Sequence, residues 1–153
     1  MLSRRTRRLV KEPDPRRALS ARKIPKDVLH PTIREDVWGL YYRGKYEHAV
    51  FAAMKAVEVA VREAANLAPK EIGTNLMRKA FDPETGPLTD MTVEKGEREA
   101  RSALFAGAIG SYKNPHSHRN VALDDTDEAA EVIMLANHLL CIVGSRAWVS
   151  PVG

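Results

Sequence analysis

Tyr46, Val50, Ala53, Val57, Val61 and Ala64 recur at three- and four-residue intervals between Lys45 and Leu67. An extended strand would scatter such a set over both faces, whereas a helix gathers it into one stripe. The sequence therefore predicts a long amphipathic helix over 45–67, with Pro69 as its stop. The pattern repeats along the chain and fixes the class. Pro31 opens a short helix carrying Ile33, Val37, Leu40 and Tyr41, ended near Gly44. Leu76, Met77 and Phe81 mark a shorter helix around 74–81, and Asp82-Pro83-Glu84-Thr85-Gly86-Pro87 reads as turn.

A third long helix is expected from Glu94 or Gly96 to Lys113, with Leu104, Phe105, Ala108, Ile109 and Tyr112 as its apolar face. It stops at Asn114-Pro115, because the residue before proline is pushed out of the α region. Asp125-Thr126-Asp127-Glu128 has the form of a capping box, opening a last helix to about Val143. That helix is apolar almost all round, which suits a central position in the bundle or one shared with a partner. Only Pro87–Val93 has the composition of a short extended piece. The expected fold is all-α, four to five helices over 31–145, with a loose tail over 146–153.

Residues 1–30 differ from this body. They hold ten basic residues against three acidic ones, while 31–153 hold 14 basic and 17 acidic, so the net charge of +4 belongs to the first segment. With Pro13, Pro15, Pro25 and little apolar material, the segment is expected to be a disordered arm. Two readings stand open for it: counterion-releasing contact with nucleic acid, or a solubilising tail. Glu12 and Asp14 argue against an organelle transit peptide, and no apolar segment follows the basic start as a secretory signal requires. The longest apolar run, 132–143, falls short of the ~20 residues of a membrane span. Cys141, the single cysteine, sits in that run and is expected to be buried. A cytoplasmic protein without disulfides is expected, with no membrane contact.

The chemistry-bearing stretch is Gly110-Ser111-Tyr112-Lys113-Asn114-Pro115-His116-Ser117-His118-Arg119, at the end of the third long helix. Lys113 falls in the row Phe105–Ile109–Lys113, at the edge of the buried face. A lysine there also suits the helix dipole and the free carbonyls of a last turn. His118 lies in a loop beyond the helix stop and titrates near neutrality when unperturbed. RNA carries its own nucleophile, the 2′-hydroxyl, so its cleavage needs a base, an acid and positive charge at the phosphate, and no metal. His118 suits the base or acid role, Lys113 and Arg119 the phosphate-binding one, Asn114 an orienting one, and His116 is the reserve histidine. No cofactor is called for, and no Cys/His/carboxylate cluster with metal-ligand spacing accompanies the two histidines.

Elsewhere, Glu58 interrupts an apolar arc and is read as a rim ion pair with Lys55 or Arg62, or as a secondary site candidate. Asn137 is expected to hydrogen-bond in the core, and His48 and His138 to face solvent. Trp38, Tyr41 and Tyr42 are read as core aromatics, with base stacking as the alternative.

The order Gly73-x-x-Leu76-Met77-x-Lys79-Ala80-Phe81, then Leu104-Phe105-x-Gly107-Ala108-Ile109, then Lys113-Asn114-Pro115-x-x-His118-Arg119 resembles the Ymh-type conserved hypothetical proteins of the HEPN superfamily. The resemblance spans roughly 31–143. It implies a HEPN-like bundle, often a homodimer, and metal-independent ribonuclease activity in toxin–antitoxin, phage-defence or RNA-processing systems, with RNA and an antitoxin or other defence protein as partners. The HEPN signature is Arg-x4–6-His with a polar residue after the arginine. His118 and Asn114 match it, while Lys113 stands where that signature has arginine, keeping the charge and losing the planar fork. Non-catalytic HEPN domains also exist, so a nucleic-acid-binding or protein-interaction module is the alternative function.

Overall fold

The computed structural model describes residues 23–113 and 126–148. A 3₁₀ turn at Lys26–Val28 precedes α1 (Pro31–Arg34), α2 (Asp36–Tyr42), α3 (Tyr46–Ala64), α4 (Gly73–Ala80), α5 (Lys95–Ala108) with a π-helical turn at Ile109–Lys113, and α6 (Thr126–Trp148). The bundle is all-α, and no strand occurs among the described residues. The expected piece at Pro87–Val93 is a series of turns, with Leu88 and Thr89 buried. The box residue Asp125 lies outside the described residues.

Helix α3 packs most extensively against α6. Alanines make that approach feasible: Ala49 and Ala53 on α3, and Ala129 and Ala136 on α6, are all fully buried. Val50, Val57, Ile133 and Leu139 are also fully buried, each such side chain contributing about 1.5–3 kcal/mol. A second layer joins α4 to α5, where the Phe81 and Phe105 rings stack at 4.1 Å.

Helix ends are set by identifiable devices. His30 Nδ1 accepts from the Thr32 N–H and Pro31 takes the first helical position. The predicted single helix after Pro31 breaks at Glu35 into α1 and α2. Helix α3 ends before Pro69: Asn66 takes φ +52°, its N–H bonding Glu63 O and the Leu67 N–H bonding Arg62 O. That Schellman arrangement closes the helix three residues earlier than the proline alone predicts.

Helix α6 runs through Trp148, so Arg146, placed by the sequence in a loose tail, is part of the helix. Nor is α6 apolar on every side. Asp127, Glu131, Met134, His138 and Cys141 follow one exposed stripe. Cys141 is therefore exposed rather than buried, because the helix turns that position away from α3. Residues Thr126–Ala147 are long and apolar enough to cross a membrane, but half of that span is buried in the bundle. Leu104, assigned to the apolar face of α5, is 39% exposed, and Ser102 and Ala106 are buried in its stead.

The folded body begins before Pro31. Ile24 and Leu29 are 0% and 1% exposed. The Ile24 carbonyl accepts from Trp38 Nε1 at 2.8 Å, the Leu29 carbonyl accepts from the Arg34 guanidinium, and the His30 N–H donates to Asn137 Oδ1. Lys23 pairs with Asp127. The last eight residues of the expected arm are thus docked on α2 and α6, since two apolar anchors outweigh the average polarity of the segment. Residues 1–22 lie outside the described residues. Asn137 takes its expected hydrogen-bonding role, and His48 and His138 are exposed as expected. Tyr41 is core, while Trp38 stacks on Tyr42 at 4.9 Å, half-buried.

The turn after α4 is tight. Asp82 Oδ1 accepts from the Glu84 and Thr85 N–H groups, which hold its carboxyl below the usual range. A Cβ on Gly86 would stand 2.4 Å from Asp82 N and 2.7 Å from Ala80 O. Both neighbours are backbone and cannot swing aside. Gly86→Ala should therefore cost about 1–3 kcal/mol, the range of overpacking, measurable as a lowered denaturant midpoint. An unchanged midpoint would mean that the turn relaxes freely.

Candidate functional site

Glu58 lies in the fourth turn of α3, 5% exposed, with both oxygens engaged. Oε1 accepts from an Arg62 guanidinium nitrogen at 2.9 Å. Oε2 accepts from the Gly73 N–H at 3.1 Å and lies 3.2 Å from Lys113 Nζ. The rim-pair expectation is thus corrected. Arg62 is the partner and Lys55 is exposed to solvent, but the carboxylate is buried at a junction of three elements. Local spacing supplies only Arg62, one helical turn away. The π-turn and α4 bring the other two partners.

Each partner reaches Glu58 for a local reason. Ile72, the N-cap of α4, makes no side-chain cap, so the first N–H of that helix needs an acceptor, and Glu58 supplies it from another helix. Gly73 adopts φ +63°, a conformation that a side chain would strain, and this aims its N–H at the carboxylate. Arg62 Nε also donates to the Glu71 carbonyl at 2.9 Å, fastening the 65–72 loop beside the site. Glu71 in turn pairs with Lys79.

Lys113 closes the π-turn. Its side chain is 16% exposed, so the helical wheel correctly sets it at the edge of the buried face. A π-turn holds one more residue than an α-turn and is a frequent device at functional sites. Here it carries the chain end of α5 onto α3 and α4. Two cations, Arg62 and Lys113, share the one buried carboxylate of Glu58.

Asn114, His116, His118 and Arg119 lie outside the described residues, so of the expected site residues the structure brings together Lys113 and Glu58. Arg62 is the ion-pair partner the sequence already offered, and Gly73 is the residue that sequence reasoning missed for this cluster. Gly73 carried a signal, as a glycine opening a helix whose neighbours offer no cap. Among the described residues no three His, Cys, Asp or Glu side chains converge as a metal ion would require.

No curated protein and no solved structure matches the chain. The family described as a protein of unknown function, Hypoth_ymh, matches residues 27–143, which take in α1 to α6 as far as Val143 and every residue of the Glu58 cluster. On that match the chain belongs to the Hypoth_ymh family.

Proposed function

We propose that this protein is a metal-independent endoribonuclease of HEPN type, acting in the cytoplasm within a prokaryotic toxin–antitoxin or phage-defence system. The observation that carries the reading is the Lys113–Glu58 contact of 3.2 Å at the π-turn that leads directly into Asn114-Pro115-x-x-His118. A buried carboxylate fixes the point from which the histidine segment departs. In the reaction, the RNA 2′-hydroxyl attacks the phosphorus, giving its proton to a base, while the 5′-oxygen leaves with a proton from an acid. The product is a 2′,3′-cyclic phosphate. His118 fills one of those roles, and the positive charge of Lys113 and Arg62, with Arg119, offsets charge on the phosphorane. Asn114 orients, His116 is the reserve proton carrier, and Glu58 is a positioning residue. The test is incubation of purified full-length protein with RNA in EDTA. Cyclic-phosphate ends support the proposal, and inert protein on single-stranded, structured and transfer RNA, with or without a candidate activator, overturns it.

One observation favours a second reading. The Lys113 ammonium is spent on Glu58 and lacks the fork with which arginine serves two partners. A non-catalytic nucleic-acid-binding or protein-interaction module of a defence system needs nothing more than such an anchored helix end.

The catalytic reading calls for two copies, since one His118 cannot stand on both sides of a scissile phosphate. The exposed stripe of α6 shows that most of its apolar surface is used within the chain, so the dimer rests on this chemistry rather than on surplus grease. Light scattering should give twice the 17.0 kDa of the chain; a monomer at micromolar concentration argues strongly against the shared site.

The arm contributes sequence-blind electrostatics in the nuclease reading. Residues 1–22 hold eight basic and two acidic side chains. Deleting them should weaken RNA binding and flatten its dependence on salt. The log–log slope should shrink by about 0.9 for each duplex phosphate that the arm had neutralised, or about 0.7 on single strands. A truncation at residue 30 would also remove Ile24 and Leu29 from the core, so the cut belongs at 22. An unchanged slope makes the segment a solubilising tail.

A further inference from the structure

A cavity of about 290 Å³ opens between the 81–93 turns, the first turns of α5 and the end of α6. It stands apart from the Glu58 cluster, since its Arg101 and Lys113 are separated by about 18 Å of helix at 1.5 Å per residue. Phe81, Leu88 and Ile142 give it an apolar floor, and Arg98, Arg101 and Arg146 line it with guanidiniums. Apolar surface with a few fixed polar groups is the usual construction of a small-molecule site.

The three guanidiniums are not equivalent. Arg146 is fully committed, donating to the Leu88 carbonyl at 3.0 Å and the Thr89 carbonyl at 3.1 Å and facing Asp90 at 3.5 Å. It holds the 88–90 turn on α6. Arg98 is committed on one side only. Its Nη1 donates to the Pro83 carbonyl at 2.6 Å, whereas its Nε is buried without a hydrogen-bond partner and its Nη2 bonds no described residue. Arg101, half-buried one turn further along α5, makes no hydrogen bond or ion pair with any described residue. The two lining carboxylates do not fill that role. Asp90 Oδ1 accepts from the Thr92 N–H at 3.0 Å and the Thr92 hydroxyl at 2.6 Å, and its Oδ2 faces Arg146. Glu97 is exposed to solvent. A buried guanidinium N–H left unpaired is costly, and the planar fork of arginine is matched best by the two oxygens of a carboxylate.

We propose that this cavity binds a small amphipathic monocarboxylic acid, aryl or branched-alkyl, with its carboxylate on Arg101 beside the open edge of Arg98 and its apolar body over Phe81, Leu88 and Ile142. Arg98 and Arg101 stand three residues apart on α5, so they share one face of the helix. The volume sets the size of the acid. An apolar cavity of about 150 Å³ takes one benzene ring, so about 290 Å³ takes one ring, or a branched chain of similar bulk, with a short carboxylated arm. Burying that body supplies affinity at about 25 cal/mol per Å² of apolar surface, and the free guanidinium selects the acid from neutral molecules of the same shape. This inference stands apart from the nuclease reading.

The test is titration calorimetry of the full chain with 3-phenylpropionate and 4-methylpentanoate, and with 3-phenylpropionamide and acetate as separate probes of the two halves of the site. At least one of the two acids should bind. The amide, which keeps the shape and loses the charge, and acetate, which keeps the charge and loses the body, should each bind at least about tenfold more weakly. Arg101→Gln should weaken binding of the acid by a similar factor without lowering the melting temperature, because that side chain holds no described residue in place. Ser145→Trp, which fills the mouth from an exposed position and keeps all three arginines, should abolish binding. No binding of either acid at millimolar concentration overturns the proposal. So does equal affinity for 3-phenylpropionate and its amide, and so does wild-type affinity in both Arg101→Gln and Ser145→Trp.

Discussion

Glu58→Ala should lower stability by about 3–5 kcal/mol, the cost of breaking a buried ion pair by removing one partner. Arg62 and Lys113, with side chains 19% and 16% exposed, would keep their charges without the carboxylate that offsets them. The Gly73 N–H would lose its acceptor at the same time, uncapping α4. For a domain of this size the melting temperature should fall by roughly 10–20 °C. Glu58→Gln should fall between, since the amide still accepts from one side. Adding Lys113→Met to Glu58→Gln should recover part of the loss, because removing both members of a buried pair is far cheaper than removing one. A rim ion pair would cost at most about 1 kcal/mol, so a loss that small at Glu58→Ala sinks the description of this cluster as a buried junction.

His118→Ala should reduce RNA cleavage by about 10²–10⁴, the usual share of a general acid or base, with melting temperature and assembly unchanged. Lys113→Ala is a less telling variant than its sequence position suggests. It removes phosphate-directed charge, but it also takes one of two cations from the buried Glu58 carboxylate, so activity and stability should fall together. Lys113→Arg separates the two roles. Its guanidinium can hold Glu58 with one edge and a phosphate with another, so activity should be kept or raised with no loss of stability. Equal inactivity of wild type and Lys113→Arg on every RNA tried would leave Lys113 as a structural anchor and favour the non-catalytic module.

The identity of the helices was legible in the sequence, because helical periodicity is a property of neighbours three and four positions apart. The stripe from Tyr46 to Val61, the proline at the head of α1 and the edge position of Lys113 all follow from that local geometry. So does the Glu58–Arg62 pair, one turn apart on α3. Local rules failed where an average hid a few residues. The charge of 1–30 concealed Ile24 and Leu29, and the apolar composition of α6 concealed the rotation that exposes Cys141.

The candidate site itself belongs to the tertiary structure. Glu58, Gly73 and Lys113 are far apart in the chain, and nothing in their spacing announces that they meet. Packing of α3 against α4 and the π-turn makes one carboxylate serve as both the cap of a helix and the counterion of a lysine. The same holds for Arg101 and Arg146, which face one cavity only because α5 and α6 close over the turn at 88–90. Which groups can titrate, donate or accept is covalent chemistry, and the sequence alone determines it. Only the fold decides which of them are removed from water together, and burial is what makes those meetings strong.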